Sequence, residues 1–236
     1  MVDVDPGKAK IRSRISGNVE AAKQFLVVAI GLGLTNSIVE KLKYATDPGP
    51  MVNQDNDPFF QFPAFVLFVF GVYAIRFFFN NYMYLHQSYD DHRLDELEAK
   101  GEDLRRLVFN SYYDLFLSIF TGVIMSVISM TLTEGGRRLK VLLILLIFHY
   151  LIDAIVLGRN VFRRRAEPGY EREFNRVFTW LLSNIVFIMV FILLLILDNL
   201  RIDSYPENLL FRAMMVIWLV NSCINLSVTW FMRDKI

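Results

Sequence analysis

The sequence predicts an all-α, polytopic integral membrane protein of six transmembrane helices with both termini cytoplasmic. Three observations lead there. Of 236 residues, 54% are hydrophobic and 14% aromatic, a higher apolar share than soluble domains usually carry. The apolar residues gather into repeated blocks of about 20, the length a helix needs to cross a hydrocarbon core of about 30 Å. Lys and Arg collect in alternate segments between those blocks.

The first span, 25–42, is the weakest, because Gly31, Gly33, Thr35, Asn36 and Ser37 dilute it. The second, 59–79, tolerates Pro63 near its start, where a missing N–H costs little. The third, 107–132, is long enough to tilt or to project beyond the bilayer. The fourth and sixth are 140–158 and 209–232. The fifth, 177–197, is almost wholly apolar from Ile185 to Leu197, which no water-facing helix sustains. Outside the spans remain a cytoplasmic arm at 1–24, a cytoplasmic helical loop at 80–106, an Arg-rich loop at 159–176 and a short tail at 233–236. The polar stretch before the first block, with no small-residue cleavage site after it, predicts that the first span stays attached as an anchor.

Basic residues near span ends set orientation. With the amino terminus inside, 17 of the 25 Lys and Arg fall in inner segments and seven in outer ones. Both termini are therefore expected in the cytoplasm of a plasma or inner membrane. The group Arg137, Arg138 and Lys140 on the outer side runs against that count.

Composition also excludes function classes. A formal net charge of +1 gives no basic excess for neutralising phosphates, so nucleic acid is not an expected partner. A single cysteine, Cys223, leaves no intrachain disulfide and no thiolate zinc cluster, and its place in an apolar span predicts a buried small residue. The chain has no phosphate-cradling glycine loop, zinc-protease histidine pair or serine elbow. No cofactor and no soluble-enzyme chemistry are expected. Asn53, Asp55 and Asp57 imitate the start of a calcium loop, but Pro58 stands where glycine is needed and Ala64 where glutamate is needed. His86, Asp90, Asp91 and His92 cluster after the second span, yet on a helix the two histidines face different ways. No metal site is expected.

The informative residues are polar groups inside apolar blocks, where an ionisable side chain costs about 2.5–3.5 kcal/mol on insertion scales. These are Arg76, Asp114, Asp153 with His149 one turn away, Asn184, and Asn221 with Asn225. At 1.5 Å per residue, Arg76, Asp114, Asp153, Asn184 and Asn225 are each expected about 10 Å from the inner end of their span. Several repeat down one face at i,i+4: Asn110, Asp114 and Ser118; Arg76 and Asn80; His149 and Asp153; Asn221 and Asn225. One reading is a water-accessible vestibule in which Asp114 and Asp153 attract a cation or carry a proton, with Arg76 as counter-charge. The other is a structural pair of Arg76 with Asp114 or Asp153, plus asparagine bonds joining helices at about 0.6 kcal/mol each. One arginine against two aspartates leaves an acidic surplus that a purely structural network does not need.

Ala29, Gly33 and Ser37 form a small-residue stripe that lets a helix approach closely, between subunits of a homo-oligomer or as a pore lining. Trp180 and Trp230, with Tyr82, Tyr84, Tyr112 and Tyr113, fit an aromatic belt. Arg163, Arg164 and Arg165 could clasp anionic lipid headgroups at about 1 kcal/mol per basic residue, or serve only to set topology. The alternating charges of 89–106 suit a solvated spacer or a docking surface for a cytoplasmic protein. The leading expectation is a small membrane protein that conducts or transports an ion or small solute. Its rival is a non-transporting component that receives a signal, assembles with partners or perturbs the membrane. An intramembrane lipid enzyme using His149 and Asp153 as acid and base is a minor third.

Overall fold

The computed structural model describes residues 6–46, 63–89, 94–95, 98–99, 104–132, 139–164, 171–200 and 207–231. Among them run six helices: α1 Pro6–Thr46, α2 Pro63–Tyr89, α3 Leu104–Leu132, α4 Leu139–Arg164, α5 Glu171–Leu200 and α6 Glu207–Phe231. Pro6 and Pro63 open α1 and α2, where a fixed φ is pre-organised and the missing N–H has no helical partner to lose. α5 and α6 begin at Glu171 and Glu207.

The helices outrun the apolar blocks that announced them. α1 begins at Pro6, so the expected arm is helical and continuous with the first block, and α2 runs past its apolar block to Tyr89. The apolar block marks what lipid can cover; polar residues of good helix propensity carry the backbone hydrogen bonds further. Within the apolar stretch Phe65–His86, Arg76 lies about midway.

Five helices are long and apolar enough to cross a membrane, through Phe65–His86, Arg105–Leu132, Leu139–Arg159, Val177–Leu200 and Leu209–Val228. α1 is not among these five, and several of its side chains from Asn36 onward lie outside the described residues. In its described part Val27, Val28, Leu32, Ile38 and Val39 are exposed. Phe68, Phe109, Phe116, Met189 and Leu193 are also exposed on their helices. Keeping each such side chain in water forgoes about 1.5–3 kcal/mol, a cost that hydrocarbon removes. The arrangement is consistent with a multi-pass, membrane-embedded protein.

The chain divides into two compact units. The first takes α1 up to Leu32, α2 from Phe77 and α3 up to Met125. Its core includes Ile15, Val19, Ala22, Leu26, Leu85, Leu107 and Met125. Here α1 meets α3 so closely that a Cβ on Gly122 would come 2.6 Å from Phe25 Cε1 and 2.8 Å from Ala29 Cβ. Nearby on the same pair of helices, Asn18 Nδ2 donates to Ser111 Oγ at 2.9 Å.

The second unit takes α1 from Gly33, α2 up to Arg76, α3 from Ser126, and α4 to α6. α4 packs along α5, and α5 along α6. Buried Phe70, Tyr73, Ile128, Leu143, Leu146, Tyr150, Phe191, Met215 and Trp218 fill it. Gly33 again permits close approach: its carbonyl accepts Ser129 Oγ at 2.6 Å, and an added Cβ would stand 3.2 Å from Phe70 Cζ.

Candidate functional site

In the second unit, α2, α4, α5 and α6 each turn a polar face toward one buried network. Helical spacing assembles it: Tyr73 and Arg76 stand three apart on α2, Tyr150 and Asp153 three apart on α4, and Trp218 and Asn221 three apart on α6. Arg76 Nη1 donates to Tyr150 Oη at 3.0 Å, and Nη2 donates to Asn184 Oδ1 at 3.2 Å. Tyr150 Oη in turn donates to Asn221 Oδ1 at 3.0 Å, and Asn225 Nδ2 donates to the same oxygen at 2.7 Å. Arg76, His149, Tyr150, Asn184, Asn221 and Asn225 are all buried.

Asp153 is the partly open member, its side chain 18% exposed. Its Oδ2 lies 3.7 Å from Arg76 Nη2 and 3.7 Å from His149 Nε2. Both separations exceed hydrogen-bond length, so the carboxylate balances charge without engaging the guanidinium directly. Aromatic faces complete the setting. Arg76 lies over the Tyr150 ring at 5.0 Å and near the Tyr73 ring at 5.9 Å, and Tyr73 contacts Trp218 at 4.7 Å and His149 at 5.5 Å between centroids. Cation–π attraction gains strength when desolvated, which helps a charge persist among apolar helices.

Asp114 belongs to the first unit and finds its partners there. Tyr84 Oη donates at 3.3 Å, and Tyr89 Oη donates to the same carboxylate oxygen. Asn110, Asp114 and Ser118 are buried on one face of α3, and Ser118 Oγ donates to the Asp114 carbonyl at 2.8 Å.

Beyond the apolar stretches, the first unit also carries a charged contact. Lys8 Nζ reaches Glu98 Oε1 at 2.6 Å, while Arg12 Nη2 reaches Asp95 Oδ1 and Glu98 Oε2, each at 2.6 Å. Hydrogen bonds from Lys8 and then Arg12 hold the Glu98 carboxyl below its usual range. Bonds to Asp95 and Glu98 raise the Arg12 guanidinium further.

Several sequence expectations change. Cys223 is exposed, not buried; Trp218, Asn221, Ser222 and Asn225 occupy the inward face of α6, and Cys223 falls with Val220 and Ile224 on the outward side. Trp180 is buried rather than part of an exposed belt, and Tyr84 is a hydrogen-bond donor to Asp114. Tyr82 keeps an exposed position, with Lys23 Nζ 5.0 Å from its ring. Ala29 and Gly33 use their smallness inside this chain, against Gly122 and against Phe70 and Ser129 respectively, so the stripe needs no second subunit to account for it. The side chains of Ser37, Arg163, Arg164 and Trp230 lie outside the described residues, as do Arg165, the segment Asn53–Pro58, and Asp90, Asp91 and His92. Among the described residues, no group of three His, Cys, Asp or Glu could hold a metal ion.

Sequence reasoning missed Tyr150, Tyr73 and Trp218, the aromatics that line the buried network, and Tyr89 beside Asp114. A usable signal was present: each aromatic of the network sits three residues before a polar member of the same helix. No protein-family model, no curated protein and no solved structure matches this chain.

Proposed function

We propose that this protein is a six-span membrane protein, both termini cytoplasmic, that conducts or transports a small ion or solute through the polar network of its second unit. The observation that carries this reading is a buried guanidinium in apolar helices, bonded to Tyr150 and Asn184 and charge-balanced by the partly exposed Asp153. Helices can be joined by neutral side chains at far less cost than about 2.5–3.5 kcal/mol per inserted charge. Retaining Arg76 and Asp153 there suits a site that must meet a charged or strongly polar species. His149 lies 3.7 Å from Asp153, and Asp114 between two tyrosines is a second candidate, within the first unit.

The test is flux in proteoliposomes under a potassium-diffusion potential, following protons, cations and anions in parallel. The reading expects flux above empty vesicles, reduced at least tenfold by Asp153→Asn with the protein still folded. No flux of any tested species, together with an Asp153→Asn variant that is normal in cells, would sink it.

A second reading, of a non-transporting component that receives a signal, is favoured by one separate observation. Lys8 and Arg12 of α1 are clamped to Asp95 and Glu98, an exposed ionic contact that a partner protein or anionic lipid could displace. Arm variants that change a cellular response with liposome flux absent would favour it.

A further inference from the structure

The donors in the second unit's network are not all used. Arg76 Nε, Asn184 Nδ2 and Asn221 Nδ2 are buried and have no hydrogen-bond partner. Arg76, Asn184 and Asn221 are each at most 2% exposed. They belong to one continuous chain of bonds: Asn184 through its Oδ1 on Arg76 Nη2, Asn221 through its Oδ1 on Tyr150 Oη, and Tyr150 on Arg76 Nη1. Each amide oxygen is already engaged while its NH2 group is not, so both asparagines offer what Arg76 offers, an N–H. Leaving a buried donor unmet costs about 1–3 kcal/mol, and three in one network is a chemical bias toward an acceptor.

We propose that this network is a binding site for a small monovalent anion, held by Arg76, Asn184 and Asn221. The inference rests on the second unit being the binding region and narrows what it takes from an ion or solute to an acceptor of negative charge. A cation finds the wrong polarity at the unmet atoms of Arg76, Asn184 and Asn221, which are all N–H donors. Asp153 does not fill the site, since at 3.7 Å from Nη2 it makes no hydrogen bond to Arg76. It balances the charge of Arg76 from 3.7 Å while leaving the unmet N–H groups free to take an acceptor.

The experiment uses detergent-purified full-length protein and reads thermal stability while nitrate or chloride replaces gluconate at constant ionic strength, then while potassium replaces sodium at constant anion. A ligand that binds only the folded form raises the melting temperature with a saturating dependence. The proposal expects saturation with nitrate or chloride and no dependence on the cation. Asn184→Asp tests the site directly. It keeps an oxygen for Arg76 Nη2 and so preserves the fold, but replaces the unused N–H with negative charge, and should raise the half-saturating concentration more than tenfold. Asn221→Asp is the second variant should the first not fold. No anion dependence in the wild type, an unchanged response in a folded Asn184→Asp, or a response to potassium instead, would overturn the proposal. Binding without flux in liposomes would uphold the site and remove transport; flux without anion-dependent stabilisation would do the reverse.

Discussion

Adding one methyl group at Gly122 is the sharpest probe of how α1 meets α3. A Cβ there would stand 2.6 Å from Phe25 Cε1 and 2.8 Å from Ala29 Cβ, against about 3.5–4.0 Å for carbon atoms in favourable contact. The Phe25 ring can turn aside. Ala29 cannot, because its Cβ is fixed to the α1 backbone, so the helices must separate by roughly 1 Å. Overpacking of this kind costs about 1–3 kcal/mol, and Gly122→Ala should fall in the upper half of that range. Removing the opposing atom supplies the control: Ala29→Gly on its own costs roughly 1 kcal/mol in helix propensity, yet in the Gly122→Ala background it should recover part of the loss. Unfolding of the purified protein in mixed micelles, followed by helical circular dichroism against denaturant, measures all four proteins of the cycle. A coupling larger than about 0.5 kcal/mol exceeds what independent sites show. A neutral Gly122→Ala, or effects that simply add, would mean that α1 and α3 do not touch at these residues, and the packing of the first unit would have to be redrawn.

Three further outcomes follow from the geometry. Tyr150→Phe removes both the acceptor of Arg76 Nη1 and the donor to Asn221 Oδ1, and should lower stability by about 1–3 kcal/mol in the same denaturation assay, while Tyr112→Phe, at an exposed position, should change it little. The arm contact should respond to acid with a definite sign. Glu98 is held below its usual range by Lys8 and Arg12, so the contact is intact above the ordinary carboxylate range and is lost as pH falls through the depressed value; spin labels at Ala9 and Ala99 should report a stable distance at pH 7 that broadens below pH 4 and in high salt. Cys223, on the outward side of α6, should carry a fluorophore that lipid-borne nitroxides quench and aqueous iodide does not; the opposite pattern would place that face in water.

Much of the architecture was legible because hydrophobicity is a one-dimensional signal. Ile185 to Leu197 reads as lipid-facing from composition, and Phe65–His86 or Val177–Leu200 can be located without coordinates. The same signal says nothing about helix ends in water, which is why the start of α1 at Pro6 fell in a stretch expected only as an arm. The polar residues were legible as anomalies, since Arg76, His149, Asn184 and Asn221 stand out in apolar blocks and all prove buried. Their partners were less visible. Tyr150 and Trp218 look like ordinary membrane aromatics in sequence, and only the crossing of helices gives the phenol two hydrogen-bond partners and puts the indole beside Tyr73.

The assumed chemistry of the site shifts for the same reason. Counting charges along the chain pairs one arginine with two aspartates and points to an acidic interior. Asp114 has tyrosine donors within the first unit, however, and Arg76 with Asp153 belongs to the second. Taken by itself, the second unit's buried network pairs one arginine with one aspartate and has unused N–H groups on Arg76, Asn184 and Asn221. Formal charge is additive over a sequence, but hydrogen-bonding capacity is spent locally, atom by atom. An asparagine whose oxygen is already bonded presents only its donors, which turns a nominally neutral side chain into half of an anion site.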